Sequence, residues 1–526
     1  MTLQRQLLLH TERTDYMFGI LTPEQMKRAE QASVKLGVSL SALMDNAGKR
    51  LGREVLASAQ QVMSRDIVIL VGSGNNGGDG LVCANYLYES GVVPTVILVC
   101  GEPKTDLAKA VFSKLYPQIR VIDGESAECN HIISDAGIIV DCVFGTGFRG
   151  EMVGQALEIF KLAQESVAYK IACDLPSGVN ALNGQVSAGT LHSDRTVTFH
   201  RTKLGMLLSP ANEYCGEITV VDIGLPDGWE QEVGYSIEKA ELSQVMGLLP
   251  TRRRDSHKGS YGKLMLVCGS EKYMGAAMVS ASSALRSGVG IANLCTPKSV
   301  ASALVSAMPE CVFTTLEADE QGCVSESNLP VLIEISKTAS AMVIGCGLGV
   351  TDGTKKLVEG LIRASECPVI LDADGINCLS EHIDVLEEKQ SEIILTPHPA
   401  ELSRLCGVGV SDIIADRLGY AVSLAEKYGV TVHAKGTQTI TATPSGCCYI
   451  SDFGNTALAK GGSGDLLAGL IGSFVAQGIK IHDACILGSC LMGCTAERLS
   501  VYLSERGIVA SDIINAIPEI LKEWEK

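Results

Sequence analysis

The chain has 526 residues, 46% hydrophobic and 20% charged, which at about 150 residues per domain predicts two to four domains and excludes both a single small module and a disordered chain. Lys+Arg 43 against Asp+Glu 60 leaves a net charge of −17, a balance that excludes general binding to nucleic acid or to anionic membrane surfaces. No apolar run approaches the roughly 18 to 20 residues a membrane span takes, the run Leu7-Leu8-Leu9 is too short for a signal-peptide core, and 19 cysteines, never spaced Cys-x-x-Cys, read as reduced core residues.

In chain order, short β-branched runs each precede a turn and a longer amphipathic stretch. Strands are predicted within 65–72 (RDIVILVG), 92–99, 137–145, 170–178, 195–200 and 216–224. Their continuous apolar character predicts a parallel sheet covered on both faces. Residues 226–258 then turn polar and acidic, ending in the basic run Arg252-Arg253-Arg254, which reads as a solvated linker. This stretch is the predicted boundary, giving domains at 1–230 and 231–526. The alternation restarts with strands within 263–269, 290–296, 341–347, 368–375, 392–399 and 430–436. A hairpin turning at Pro444-Ser445-Gly446 follows, then a helix entered through a glycine loop at GSGDLLAGLIGSFVAQG. Both halves are predicted to be α/β, and no solenoid repeat is present. Cys490 and Cys494 share a helix face, but a zinc site would need four convergent ligands.

The sharpest motif of the first half is Gly72-Ser73-Gly74-Asn75-Asn76-Gly77-Gly78-Asp79-Gly80, set between a strand and a helix. Residues without a Cβ let backbone N–H groups approach an anion at a helix N-terminus, which predicts a phosphate-bearing ligand. The plainer reading is a tight strand-to-helix turn, and the spacing does not meet G-x-G-x-x-G in strict form. Asp141, before Phe144-Gly145-Thr146-Gly147, and Asp174, before Pro176-Ser177-Gly178, end two further strands. Ligands of open parallel sheets bind beyond such ends, so one cleft is expected to hold all three segments. Asn, Asp and Ser oxygens suit a hard cation, and a second carboxylate can move protons. For each Asp alone, turn capping is an equal reading.

LMDNAG (43–48), GSGNNGGDGLVCA, DCVFGTGFRGE, CDLPSGVNALNG, TFHRTKLGML and EYCGEITVVDIGLP resemble, in order and spacing, the NAD(P)H-hydrate epimerase family over residues 18–226. The resemblance implies a Rossmann-like three-layer domain that binds the hydrates NADHX and NADPHX and a potassium ion. Hydrate contacts are implied at Asn75, Asn76, Gly77, Gly78, Asp79, Gly145, Thr146, Gly147, Phe148, Arg149, Gly150, Glu151 and Asp174. Potassium is implied at Asn76, Asp141 and Ser177, and Asp174 is the candidate for proton transfer. Asp45 stands where the family commonly has Glu.

The second half carries Gly454-Asn455, then Lys460-Gly461-Gly462-Ser463-Gly464-Asp465 opening a helix. Free N–H groups and a positive helix end suit a phosphate, and Asp465 adds a base, which together equip phosphoryl transfer. Helix capping would explain Asp465 and Ser463 but not the glycines. Lys435-Gly436-Thr437-Gln438-Thr439 follows a strand and suits a nucleotide's phosphates or ribose. His398, between two prolines, sits in a stiff loop.

HKGSYGKLMLVCGSEKYMGAAM, ALRSGVG, VIGCGLG, LDADGINCL, TPHPAEL, AKGTQT and GNTALAKGGSGDLLAG resemble NAD(P)H-hydrate dehydratase, a ribokinase-like family, over residues 240–520. The resemblance implies hydrate contacts at Ala276 or Ala277, Gly347 or Gly349, His398 and Asp465. It implies nucleotide contacts at Lys435, Gly436, Thr437, Gln438, Thr439 and Gly464. Thr456-Ala457-Leu458-Ala459-Lys460 departs from the family's Pro-Gly-Met-Ala-Thr.

Together these imply a bifunctional repair enzyme. One domain interconverts the R and S hydrates; the other dehydrates the S form at the expense of ADP, giving AMP and phosphate, with Asp465 as base and magnesium shielding phosphate charge. The expected partners are these small molecules, without nucleic acid or membrane, in a cytoplasmic homo-oligomer. Two alternatives come from other classes: a ribokinase-like small-molecule kinase beside a ligand-binding domain, and a noncatalytic first domain.

Overall fold

The computed structural model describes residues 19–233 and 236–525; Leu7-Leu8-Leu9 lies outside them. The chain divides between Ile237 and Glu238 into two units, inside the polar stretch 226–258.

The first unit contains β1 (Ile20–Leu21), β2 (Ile67–Val71), β3 (Thr95–Leu98), β4 (Arg120–Asp123), β5 (Ile138–Cys142), β6 (Tyr169–Cys173), β7 (Arg195–Phe199), β8 (Thr202–Lys203) and β9 (Glu217–Val221). Seven of these form a parallel sheet in the order β4-β3-β2-β5-β6-β7-β9. Alternation sorts each strand's side chains to two faces. Ile67, Ile69 and Val71 pack with Met26, Leu43, Leu51 and Leu81, whereas Val68 and Leu70 pack with Ile133, Ile159 and Phe160. The result is the expected Rossmann-like three-layer unit. Strand order reverses at β2, so the crevice beyond its carboxyl end is the topological switch point. Two helices close over that end. Pro23–Lys35 starts at a capping box of Thr22 and Gln25 with Pro at its first position, and Leu40–Val62 starts at Ser39.

β10 (Ser236–Lys239) spans the division. The second unit continues with β11 (Lys263–Val267), β12 (Ile291–Pro297), β13 (Val312–Leu316), β14 (Ala341–Ile344), β15 (Val369–Leu371), β16 (Ile393–Leu395), β17 (Thr431–Ala434), β18 (Thr439–Ala442) and β19 (Cys447–Ser451). The order β13-β12-β11-β14-β15-β16-β17 is parallel, and β18 and β19 add the antiparallel hairpin. One face packs Leu264, Leu266, Val343 and Ile370 against helices that include Ser463–Ala476, Ile481–Ser500 and Ala510–Trp524. The alternate residues Met265, Val267, Met342 and Ile344 are buried as well, so both faces are covered, in the ribokinase-like α/β arrangement expected. All 19 cysteines are free, and among the described residues no helix is long and apolar enough to cross a membrane.

Candidate functional sites at the strand ends

In the first unit, Gly74 caps the helix Asn75–Glu89 without a side-chain hydrogen bond, and a Cβ there would meet nothing within 4 Å. At Gly72, Gly77, Gly78 and Gly80 a Cβ would come within 2.1, 1.9, 2.8 and 2.7 Å of protein atoms, from Val143, Gly72, Met44 and Cys142 respectively. Gly74 thus leaves open space at the helix end, while the other four are small because neighbouring protein atoms crowd them: Gly80 lies against β5, Gly78 against helix Leu40–Val62, and Gly72 and Gly77 against loop backbone.

Two cavities meet at Asn75. The larger, about 870 Å³, is lined by Ser73, Gly74, Asn75, Asn76, the run Phe144 to Arg149, and Glu151. The smaller, about 100 Å³, is lined by Asn75, Glu30, Asp79, Asp174 and Lys203 among apolar residues that include Met26, Met44 and Phe199. Gly77, Gly78 and Gly150 line neither. Glu151 is held by Ser187 Oγ, which donates to it at 2.8 Å, and Arg149 donates to the carbonyls of Thr146 and Phe148 at 3.0 and 2.6 Å. Asp45 pairs with Lys49 at 2.6 Å on the surface.

Asp174 has a left-handed backbone, φ 67°, where β6 ends. Its Oδ1 accepts from Thr198 Oγ1 at 3.2 Å, from the Phe199 N–H at 3.3 Å and from Lys203 Nζ. Lys203 is fully buried, and its remaining donors go to Thr198 Oγ1 and the Phe199 carbonyl. Three carboxylates thus face one ammonium. Burial first, then Asp174, pushes the Glu30 pKa up to about 7, against the pull of Lys203. Asp79 is driven well above the usual carboxylate range by burial, Asp174 and Glu30. Burial and mutual repulsion thus favour the protonated forms of Glu30 and Asp79, the kind of group that serves as a general acid, beside the Lys203-paired Asp174.

Asp141 is 1% exposed and lines neither cavity, which corrects the single-cleft expectation. Its oxygens accept from Ser177 Oγ at 2.6 Å, the Ser177 N–H at 2.7 Å and the Val143 N–H at 3.2 Å. Burial still raises its pKa to about 6. Ser177 Oγ lies 3.3 Å from the Phe144 carbonyl, and a Cβ on Gly145 would stand 3.3 Å from Asn76 Oδ1. Asn76 Nδ2 is buried without a partner. Turning that amide over would put an oxygen at the orphaned position. Asn76, Asp141 and Ser177 thus offer hard oxygens, one of them uncommitted, and they fit a potassium-like cation.

In the second unit, functional side chains follow successive strand ends: Cys346 after β14, Asp372 after β15, Thr396 after β16 and Lys435 after β17. Asp372 is 1% exposed, and its Oδ1 accepts from Lys435 Nζ at 2.5 Å and Thr396 Oγ1 at 2.6 Å. Ala373, at φ 47° and ψ −114°, holds a strained turn between Asp372 and Asp374. Asp465 is the third residue of helix Ser463–Ala476, whose cap, Gly462, has φ 94° and no side-chain hydrogen bond. Burial, then Asp372, pushes the Asp465 pKa up to about 6, although the Cys346 thiol and Lys435 pull it down. Ligand atoms of Cys346, Asp372 and Asp465 lie within 4.8 Å of one another. The two carboxylates, not the thiol, suit magnesium carried on a phosphate.

A cavity of about 620 Å³ is lined by His398, Lys435, Gly436, Thr437, Thr439, Asn455, Lys460, Ser463 and Gly464, with Phe453, Leu458 and Met492. Two of the glycines are open here: a Cβ on Gly461 meets nothing within 4 Å, and one on Gly464 finds Lys435 Nζ at 3.4 Å, whereas one on Gly436 would come within 1.7 Å of Arg417. Gln438 is 5% exposed and off the wall, and its carbonyl accepts from Arg417. His398 Nδ1 accepts the N–H groups of Ala400 and Glu401 at 3.1 and 3.3 Å. Burial, Lys435 and Arg404 lower its pKa, so a neutral ring carries its proton on Nε2. Ala277 is fully enclosed, which leaves Ala276 as the contact of that pair. Gly347, at φ 64°, lets Ala276 and Tyr273 approach within 2.8 Å of where its Cβ would be. The Gly349 N–H donates to Asp374 at 2.9 Å.

The sequence reading missed Glu30, Lys203, Asp372 and Thr396 as site residues. Asp372 carried the same strand-end signal as Asp174, and Lys203 lay in a quoted motif. Glu30 is one acidic residue of an amphipathic helix and carried no signal.

Residues 264–519 match the family model described as NAD(P)H-hydrate dehydratase, and residues 40–205 match the YjeF-related protein N-terminus. The bifunctional NAD(P)H-hydrate repair enzyme Nnr of Thermofilum pendens is 34% identical over 497 residues, covering 94% of this chain and 94% of that one. Its counterpart from Moorella thermoacetica is 31% identical, covering 97% and 98%. Among solved structures, the ADP/ATP-dependent NAD(P)H-hydrate dehydratase of Bacillus subtilis, co-crystallized with ATP and Mg2+, is 30% identical with a TM-score of 0.48, covering 54% of this chain and 97% of that one.

Proposed function

The chain belongs to the bifunctional NAD(P)H-hydrate repair enzymes, and from that premise we propose that its first unit epimerises NADHX and NADPHX while its second dehydrates the S epimer with ADP, releasing AMP and phosphate. The observation that carries this reading is the run of the match through both units, over 94% of this chain, with a carboxylate whose pKa burial raises beside an open loop in each.

In the first unit the hydrate's phosphates lie against the Gly74 helix end and the run Gly145 to Arg149, and the reacting ring enters the smaller cavity beyond Asn75. Glu30 or Asp79 gives a proton to the ring hydroxyl, whose carbon–oxygen bond breaks with release of water as the ring nitrogen supplies electrons; water returns to the opposite face of that carbon, and Asp174, oriented by Lys203, accepts its proton. Asn76, Asp141 and Ser177 would hold potassium, whose charge offsets that of the buried Asp141.

In the second unit the nucleotide lies along Lys435 to Thr439, with its phosphates at the N–H groups of Gly461 to Gly464. Asp465 takes the proton of the hydrate hydroxyl as that oxygen attacks the terminal phosphorus of ADP. The bond from phosphorus to AMP breaks; the phosphorylated hydroxyl then leaves as phosphate while the adjacent ring carbon gives up a proton to solvent, and the double bond formed between the two carbons restores the dihydropyridine. Magnesium supplies neutralisation of phosphate charge, with Asp372 and Asp465 the nearest carboxylates. Lys435 is paired with Asp372, and His398 lines the cavity with its Nε2 3.3 Å from Glu401 Oε1.

The free thiols suit a reducing, cytoplasmic setting, and a homo-oligomer is part of the proposal, to be read by light scattering. The test of function is incubation of the protein with mixed hydrate epimers and ADP or ATP, following the returning near-ultraviolet absorbance of dihydronicotinamide. A stable phosphorylated product without that absorbance would establish the kinase alternative instead.

A further inference from the structure

Lys460 immediately precedes the open turn Gly461-Gly462-Ser463-Gly464, and it is where the chain departs from the dehydratase pattern. Its Nζ donates to the carbonyl oxygens of Glu505, Arg506 and Ile508 at 3.0, 2.7 and 2.5 Å. An ammonium has three donors, and all three are used. Among the described residues no carboxylate pairs with it, and the Glu505 side chain is engaged by Thr456 Oγ1. The segment 504–508 is itself a closed turn, in which the N–H groups of Gly507 and Ile508 donate to the Ser504 carbonyl at 2.8 and 3.2 Å. Ala510, just beyond it, lies 3.2 Å from where a Cβ of Gly462 would be.

The turn therefore packs against the cap of helix Ser463–Ala476 from the protein side, while Gly461 faces open space. Three carbonyl dipoles aimed at one point repel one another unless a cation sits between them. With its donors spent on carbonyls, Lys460 has none left for a phosphate.

We propose that Lys460 is a resident cation: seated in a nest of three carbonyls, its ammonium holds the phosphate-facing glycine turn in position and takes the place of a diffusible monovalent ion. It is a positioning residue, and the inference rests on the dehydratase reading of the second unit. Two consequences follow. Dehydration by the parent protein needs no added small monovalent cation. Removing the side chain leaves a hole, lined by carbonyl oxygens, that a small cation can refill.

The test uses the full chain as parent, Lys460→Ala and Lys460→Met. Dehydration of the S hydrate is measured against ADP concentration in tetraethylammonium buffer, then with ammonium, methylammonium or potassium added. The far-ultraviolet circular dichroism and thermal melting of each variant are compared with the parent, as the check that the second unit is folded. Loss of charge-assisted hydrogen bonds predicts a roughly 10- to 100-fold fall in kcat/KM for ADP in Lys460→Ala. Ammonium or methylammonium restores most of it. Lys460→Met, whose stem fills the hole without charge, falls similarly and is not restored. Parental kcat/KM in Lys460→Ala, or failure of every cation to restore it, overturns the proposal. So does a parent protein that dehydrates only with added potassium, a result that depends on no variant. A parent inactive toward the hydrate with every cation and either nucleotide refutes the dehydratase reading instead.

Discussion

Asp465→Asn separates catalysis from folding at the second site because the two respond in opposite directions. As general base, Asp465 must be ionised, and its loss costs about 10² to 10⁴ in dehydration rate. The same ionisation opposes folding. Burial and Asp372 raise its pKa from 3.8 to about 6. At about 1.4 kcal/mol per unit, and discounted for the residual exposure of the carboxylate, the charged form destabilises the second unit by about 2 kcal/mol. The folded pKa lies above the unfolded one, so the penalty is absent below about pH 4, grows from there to pH 6 and stays constant above. Asn removes it without giving up a cap, since Gly462 caps the helix with no side-chain bond. The variant should therefore melt on the order of 5 °C above the parent at pH 7.5, the gap narrowing toward pH 5. Parent dehydration, followed by dihydronicotinamide absorbance, should fall about tenfold per pH unit below pH 6. A variant that kept most of its turnover would refute the assignment and move the search for the base to His398. Lost turnover with no gain in melting temperature would refute the electrostatic argument.

Asp141→Ala should lower epimerisation and abolish any dependence on potassium while leaving dehydration intact; equal parental rates with and without potassium would remove the cation site. Glu30, held near pKa 7, is protonated below that pH, so donation from it fails as pH rises through 7. Glu30→Gln should erase that limb of the epimerisation profile and cost roughly 10- to 100-fold at pH 6.5, and an unaltered profile would exclude the residue. Residues 1–237 and 238–526, made separately, should each retain one activity. Loss of either activity while the full chain works would show the units to be interdependent.

The fold was legible where strands are covered on both faces. Each of the twelve apolar runs singled out in the sequence contains a strand. Three strands of four or five residues were missed: β10, inside the polar stretch, and β4 and β13, which are the outermost of their parallel sets. Arg120–Asp123 buries only Ile122, and Val312–Leu316 buries only Leu316. An edge strand is exposed along one side, so its sequence loses the continuous apolar character that marks a central one. The hairpin was legible from its turn, where Gly446 takes φ 80° and a bulkier residue would be strained.

The sites were legible only as far as chain geometry dictates them. A residue just past a parallel strand must face the crevice, which is why Asp174 stood out and why Asp372 should have; Asp465 stood out instead in the first turn of a helix entered through glycines. Glycine letters carried less than they promised: Gly77 is small because the Gly72 carbonyl lies 1.9 Å from where its Cβ would be, whereas Gly461 has open space. Which carboxylate keeps a proton was not legible at all, because it depends on how many charges share a cavity. Burial first, then Asp174 beside them, pushes Glu30 and Asp79 upward, and Glu30 comes from a helix remote in sequence. Asp465 shares its space with Asp372, whose own cation, Lys435, is spent on it, so there the residue named by the motif is also the one whose pKa is displaced. Two carboxylates, one ending a strand and the other opening a helix, are thereby set to different tasks by their neighbours. The first is an oriented acceptor, and the second is a base whose ionisation works against folding.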